Sequence, residues 1–454
     1  MSARLPLADR LLYAVGSLGN AALFWSMTTW LLYFYAPPES TGLPRLMPIA
    51  LVGLALAAGR VIEAFDDPLI GWWSDRTRSR WGRRIPFLLF GTPILGLSFW
   101  LLWRPPLAEE SLLNAIYFFV VLELFFFANT IVSAPYEALQ AEIATTSVDR
   151  VSLGAWKVFF GAAGAGLAFV GTGLLIPSLG FAGMGLVVAL IAMAALYLTL
   201  FGLWRRGVLS SATAAAEAQP ALLESIRATL KHRPFLALAA SFLLFSVGYS
   251  MLVQTLPFYV AVVVGGPDPE SRVSLYSSGV IALVVLMLPA LSIAARRWGK
   301  RAVYATAMLV LGGYLPLLGI AAFEPLAPGV SLMAQSVAAI WLSGAGFAAL
   351  FVLPGALMAD VVDDDARRSG TPRAAVYYGM LKTLEKLAFA AAAALGAILL
   401  QVFGYSSEQS LGIRLTMPVA GGCVLLGFAA FFIWYHLRDD AAAARPQAIA
   451  ARVS

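Results

Sequence analysis

Four charged side chains, Arg60, Glu63, Asp66 and Asp67, fall within eight residues of a stretch that is otherwise apolar. Steps of three and four residues put positions 60, 63 and 67 on one face of a helix. Asp66 stands about 100° round from Asp67, at the edge of that face. Three carboxylates against one guanidinium suit a bound sodium ion, a hard cation that prefers oxygen ligands, or a titrating proton. An intrahelical Arg60–Glu63 pair with no ion is the structural alternative. A second group, Lys382, Glu385 and Lys386, occupies neighbouring turns of another apolar run. It reads either as a counter-charge for the carboxylates or as an intrahelical pair with snorkelling lysines. Glu123, in a third apolar run, is open to the same readings.

The elements that must position these groups follow from composition. Of 454 residues, 60% are hydrophobic and only 12% charged, whereas a soluble domain carries about a quarter charged residues. That excludes a water-soluble globule and predicts an all-α membrane protein. Twelve runs approach the ~20 apolar residues a helix needs to cross a bilayer. They cover 11–35, 48–74, 86–103, 112–138, 155–177 and 181–204, then 235–263, 274–294, 302–323, 330–359, 375–403 and 415–437. Arg4, Asp9 and Arg10 lead straight into the first run with no small-residue cleavage site, so it is expected to be a span rather than a removed signal. Arginine and lysine concentrate in alternate loops, after spans two, six and eight, which places those loops and both termini in the cytoplasm. The net charge of +6 therefore reads as topology, with no nucleic-acid partner implied.

The longest loop divides the chain. Expected units are a first six-helix bundle over 1–204, a cytoplasmic linker over 205–234, a second bundle over 235–438 and a disordered tail over 439–454. Arg80-Trp81-Gly82-Arg83-Arg84 after the second span is echoed by Arg297-Trp298-Gly299-Lys300-Arg301 after the eighth. Matching pentads at equivalent positions point to two pseudo-symmetric bundles of duplicated origin, an arrangement typical of carriers. Glu63 lies twelve residues before Asp75, and Lys386 eleven after Ala375. At ~1.5 Å per residue both sit roughly 16–18 Å deep, where a central chamber would bring them together.

Other chemistries lack their residues. His232 and His436 are far apart at span edges, so neither a histidine metal site nor a Ser-His-Asp triad is suggested. The glycines from Gly161 to Gly166 are not followed by Lys-Ser/Thr and make no phosphate loop. Cys423 is the single cysteine and cannot form an internal disulfide. Asp363-Asp364-Asp365 reads as a cytoplasmic gate or a solvated helix cap. No enzyme constellation and no cofactor are expected. A channel would carry a repeated pore motif in an oligomer, whereas the duplication favours a monomeric carrier in contact with lipid, a solute and a coupling cation.

Asp66-Asp67-Pro68-Leu69-Ile70-Gly71, continued by Ser74-Asp75-Arg76-Thr77-Arg78-Ser79-Arg80-Trp81-Gly82-Arg83-Arg84, resembles the signature of glycoside–pentoside–hexuronide:cation symporters. These form the melibiose-carrier branch of the major facilitator superfamily. Ala134-Pro135-Tyr136, Asp149-Arg150, Met358 to Asp363, Tyr377-Tyr378-Gly379, Lys386 and Gly404-Tyr405 extend the likeness over nearly the whole chain. The resemblance implies a major facilitator fold in the plasma (inner) membrane. It also implies symport of a sugar or glycoside with sodium or a proton by alternating access. It implies cation binding by Glu63, Asp66, Asp67 and Thr130, with Lys386 beside them, and a basic residue near the sugar pocket at Lys157. Phe351 falls where the melibiose carrier has an aromatic pocket residue.

The departures point elsewhere. Two galactoside-binding aspartates of that carrier are Ala21 and Ser133 here, and a pocket tryptophan is Glu137. Relatives that carry lysophospholipids share the cation motif and lack the sugar aspartates, so a lysolipid or other amphipathic solute is the alternative. Expected solute contacts are Asn20, Arg60, Ser133, Glu137, Lys157, Phe351 and Lys382. The loop bearing Asp75, Arg76, Arg80 and Arg84 is expected to act as a cytoplasmic gate through Asp360 and Asp363.

Overall fold

A computed structural model describes residues 5–437 apart from 145, 206–221, 327 and 371–372. Among the described residues the chain is helical and has no strand. The first part contains α1 (Leu7–Ala14), α2 (Gly16–Tyr35), α3 (Ile49–Arg76), α4 (Ile85–Leu101), α5 (Leu112–Ile143), α6 (Ser147–Gly166) and α7 (Thr172–Arg205). The remainder contains α8 (Leu222–Thr229), α9 (Arg233–Tyr259), α10 (Pro269–Trp298), α11 (Lys300–Ala321), α12 (Leu332–Ser369), α13 (Ala374–Phe403) and α14 (Leu411–Trp434). Two π turns, Leu167–Gly171 and Val260–Val264, interrupt the α pattern.

Eight helical runs are long and apolar enough to cross a membrane, and Ile85–Leu101 is a shorter apolar helix. One of the eight, Val148–Arg205, is 58 residues long. It contains a break at Gly180, where φ 67° and ψ 175° are not helical. Only glycine adopts that conformation cheaply, so one residue turns a continuous apolar run into two helices. Starts are set by local oxygen acceptors. Ser111, Thr146 and Ser331 each accept a hydrogen bond from a backbone N–H of the first turn, satisfying donors that have no partner within the helix.

Two local expectations are refined, and a third lies outside the described residues. The first apolar run is broken near its start, its first residues belonging to a separate short helix, α1, tied down by ion pairs from Asp9 to Arg205 and from Arg10 to Asp149. The stretch expected to be a linker contains α8, while its residues 206–221 lie outside the described residues. The tail from 439 onward also lies outside them.

The central glycines of the repeated pentads share a left-handed backbone, although residues 80–84 lie in a turn and bend whereas 297–298 close α10 and 300–301 open α11. Gly82 has φ 92° and Gly299 φ 90°, a region that side-chain-bearing residues rarely enter. Each pentad then aims its fourth residue at a carboxylate of a later helix in its own repeat. Arg83 pairs with Glu142 at the end of α5, and Lys300 Nζ donates to Asp360 on α12 at 2.6 Å. The two pentads thus share a left-handed central glycine and a basic fourth residue paired with a later helix.

By contacts the chain forms two compact units. The first is Met1–Ala215 with Val253–Leu275 and Ala393–Glu408; the second is Ala216–Leu252, Tyr276–Ala392 and Gln409–Ser454. In the first, α2 packs on α6 and α7, and α5 on α3 and α4. In the second, α11 packs on both α12 and α14. Glycines set close approaches: a Cβ on Gly19 would lie 2.8 Å from the Ala192 carbonyl, so α2 and α7 touch backbone to backbone.

Candidate functional site

The charged face of α3 is inside the first unit. Arg60 is 5% exposed and Glu63 1%. Arg60 Nη1 donates to Glu63 Oε2 at 2.6 Å. The guanidinium is held between two rings, 4.7 Å from the centroid of Phe24 on α2 and 4.3 Å from that of Phe126 on α5. Asn129 Nδ2 donates to the other Glu63 oxygen at 3.3 Å. Arg60 and Glu63 thus pair within their own helix.

Asp66 and Asp67 are half-buried. Thr130 Oγ1 on α5 donates to Asp67 Oδ1 at 3.2 Å. Asp67 and Thr130, expected to share a site, are thus brought together. Among the described residues no three His, Cys, Asp or Glu side chains converge as a metal-ligand set. With Glu63 committed to Arg60, the α3 cluster offers two carboxylates and a neighbouring hydroxyl. That donor set fits a monovalent hard cation or a proton better than a divalent metal, which takes more oxygen ligands.

A second polar group stands on the same face of α5. Lys157 Nζ on α6 donates to Glu137 Oε2 at 2.7 Å and to Gln140 Oε1 at 3.0 Å. The ammonium also lies 5.0 Å from the ring centroid of Tyr136, within cation–π range. Tyr136 stacks on Tyr13 at 4.9 Å and shares a hydrogen bond of 2.9 Å with Ser17. Thr130, Ser133 and Glu137 advance along α5 in steps of three and four, hence on one face. The seven steps from Thr130 to Glu137 span about 10 Å of helix axis. On α2, Ser17, Asn20 and Phe24 follow the same three- and four-residue spacing, and Tyr13 stands four residues earlier at the end of α1. Asn20 Oδ1 is buried with no hydrogen-bond partner, an unmet acceptor that a solute hydroxyl would satisfy.

The remaining expected residues lie in the second unit or at helix ends. Phe351 on α12 is 42% exposed and meets Tyr249 on α9 edge-to-face at 4.8 Å. Lys382 on α13 is exposed and Lys386 half-buried. Arg84 bonds Asp75 at 2.9 Å and Glu142 at 2.9 Å, all within the first unit. Arg76 and Arg80 lie over the rings of Trp72 and Trp81. Asp360 is held by Lys300, and Asp363 is exposed. Asp364 bonds His232 at 3.0 Å, so part of the acidic run is a structural anchor. Spacing alone missed Asn129, Gln140, Glu142, Lys300 and Tyr249. For Lys300 the signal was available, because it matches Arg83 in the repeat.

Comparison with known proteins places this geometry. The sequence profile of the MFS/sugar transport protein family matches residues 12–439. An uncharacterised symporter of Synechocystis is 32% identical over 37% of this chain and 30% of its own length. The chain thus spans less than a third of that relative. The glucuronide carrier protein homolog of Escherichia coli is 25% identical over 94% of the chain and 92% of its own length. The sodium-dependent lysophosphatidylcholine symporter 1 of mouse is 22% identical over 80% and 71%. The crystal structure of the nucleoside transporter NupG superposes with a TM-score of 0.67 at 12% identity, covering 95% of this chain and all of that one. At that identity the likeness establishes the fold, a major facilitator arrangement.

Proposed function

The chain belongs to the MFS/sugar transport protein family, a family of membrane transporters rather than enzymes, and on that premise we propose that it is a cation-coupled symporter working by alternating access. Asp66, Asp67 and Thr130 take the coupling ion, sodium or a proton. Asn20, Ser133, Glu137 and Lys157 take a small hydroxylated solute, a sugar or glycoside. Twelve spans, cytoplasmic termini, a monomeric state and residence in the inner membrane complete the proposal; no cofactor is required.

One observation carries it. A single face of α5 bears both the Thr130 hydroxyl that meets Asp67 and the Glu137 carboxylate that meets Lys157. Coupling needs two ligands to bias one shared element. A rigid helix bearing residues of both groups about 10 Å apart is such an element. Ion binding at Asp67 competes for the Thr130 bond and resets α5, and with it the polar group around Lys157.

A second solute class is favoured by a specific feature. Ala21 and Ser133 stand where the melibiose carrier has aspartates, and the exposed Phe351 with Tyr249 offers an aromatic surface. An amphipathic solute with a charged head and an apolar tail would not need the missing sugar aspartates. Uptake by proteoliposomes separates the two. The panel is radiolabelled sugars, glycosides and lysophospholipids, each with an inward sodium gradient, an inward proton gradient or neither. Gradient-driven accumulation of a sugar or glycoside supports the first reading, and of a lysolipid alone the second. Uptake of any of them that no ion gradient enhances would sink the coupled mechanism.

A further inference from the structure

The corner between α9 and α10 is a built device that the ion and solute groups do not use. The π turn Val260–Val264 closes with Gly265 N–H donating to the Val260 carbonyl at 2.9 Å, and Gly265 sits at φ 65°. Arg272 donates back to the Gly265 carbonyl, fixing the corner. The first turns of α10 then present Glu270 and Ser274, four residues apart and so on one face. Both belong to the first compact unit with α2, α6 and α7.

Each has a partner there. Tyr33 on α2 donates its hydroxyl to Glu270 Oε1 at 3.2 Å. Ser274 Oγ donates to the Val170 carbonyl, inside the other π turn, at 2.6 Å. Gly173 permits the approach, because a Cβ there would overlap the Glu270 carbonyl and the Ser274 hydroxyl. Phe258, at the end of α9, closes over Tyr33 edge-to-face at 5.5 Å. π turns cluster at working parts of helices, and here one supplies the acceptor while the other shapes the corner that brings the donor.

These contacts are made for release. Glu270 is half-buried, so water can replace Tyr33 when the carboxylate withdraws. The join combines two hydrogen bonds and a glycine face with the single edge-to-face contact of Phe258 on Tyr33. Ser26, seven residues before Tyr33 on the same face of α2, is fully buried and its hydroxyl has no partner. It is a polar group that would gain a hydrogen bond if this region were wetted.

We propose that Glu270 and Ser274 form a releasable latch, gripping Tyr33 and the Val170 carbonyl, that shuts the solute path on the non-cytoplasmic side. This rests on the symporter reading and its topology. It goes beyond that reading by naming the contacts that must break once per cycle.

The test starts from Cys423→Ser, so that introduced thiols stand alone. Tyr33→Cys with Glu270→Cys, joined by a short bifunctional methanethiosulfonate, should lose uptake and regain it on reduction. Full uptake with the cross-link complete by mass spectrometry overturns the latch. Independently, the thiol introduced by Ser26→Cys reports opening through its rate of labelling by a membrane-impermeant maleimide. Adding Ser274→Ala or Tyr33→Phe should raise that rate about fivefold each, the shift that one net hydrogen bond commands. An unchanged rate in both variants overturns the latch. The labelling arm needs no substrate, so it stands even if no solute is transported, which would defeat the symporter reading alone. Faster labelling seen only in inside-out vesicles overturns the assignment of the latch to the non-cytoplasmic side.

Discussion

Arg60→Met isolates one carboxylate and so measures what the buried pair in α3 does. The variant leaves Glu63, 1% exposed, without its guanidinium partner while the Asn129 amide stays in place. Removing one partner of a buried ion pair costs about 3–5 kcal/mol, most of it for the charge left behind. Methionine keeps the slot between Phe24 and Phe126 filled and retains part of the contact through its sulfur, so lost packing adds little. Glu63→Gln strands the guanidinium instead and should cost a similar amount, softened by the two rings, each worth roughly 0.5–2 kcal/mol to a cation. The double variant removes both charges and should fall within about 1–2 kcal/mol of wild type. The cycle therefore predicts a coupling free energy of at least ~2 kcal/mol. Tryptophan-fluorescence unfolding in mixed SDS micelles reads it out. Additivity within about 0.5 kcal/mol would mean that the pair does not act as a unit. The double variant should also keep its stabilisation by the coupling ion, because Glu63 is already neutralised within its helix. Loss of that stabilisation would return Glu63 to the ligand set.

Gly82→Ala and Gly299→Ala each force a side chain into a backbone region reserved for glycine, at an expected cost of order 1–3 kcal/mol, and equal losses in unfolding midpoint would confirm that the two pentads are equivalent. Lys300→Ala should change stability by less than about 1 kcal/mol, since exposed pairs contribute little and both Lys300 and Asp360 are about a third exposed (32% and 34%); a larger loss would show the pair to be structural. Lys157→Ala should leave the fold intact but raise the half-saturating solute concentration about tenfold, the scale of one charge-assisted hydrogen bond; unchanged uptake kinetics would remove Lys157 from the solute site.

The sequence made the charged face of α3 conspicuous because ionised groups are scarce at bilayer depth. It made the duplication visible because two pentads with a central glycine recur at matching places. The direction of Arg60 was not legible. A three-residue step lets it reach Glu63, but the rings that hold it there, Phe24 and Phe126, come from two other helices. Arithmetic on one helix does not reveal its neighbours. The partners of the gate residues were hidden for the same reason. Asp360 was expected to answer the first loop, whereas Lys300 of the repeated loop reaches it across α11 and α12. The break before α2 lies in an apolar run with no proline or polar interruption, so the hydrophobic pattern passes through it unchanged. Helix α8 was masked by its short length in an alanine-rich, charged stretch that reads as loop.

Asp67 offers the most direct test of ion coupling. In proteoliposomes the wild-type protein should concentrate its solute when an inward sodium or proton gradient is imposed. Asp67→Asn keeps the size of the side chain and a possible bond with Thr130 but removes the charge. That variant should still bind solute yet fail to accumulate it against a gradient. Concentrative uptake by Asp67→Asn at the wild-type rate, with unchanged dependence on the ion, would contradict the account.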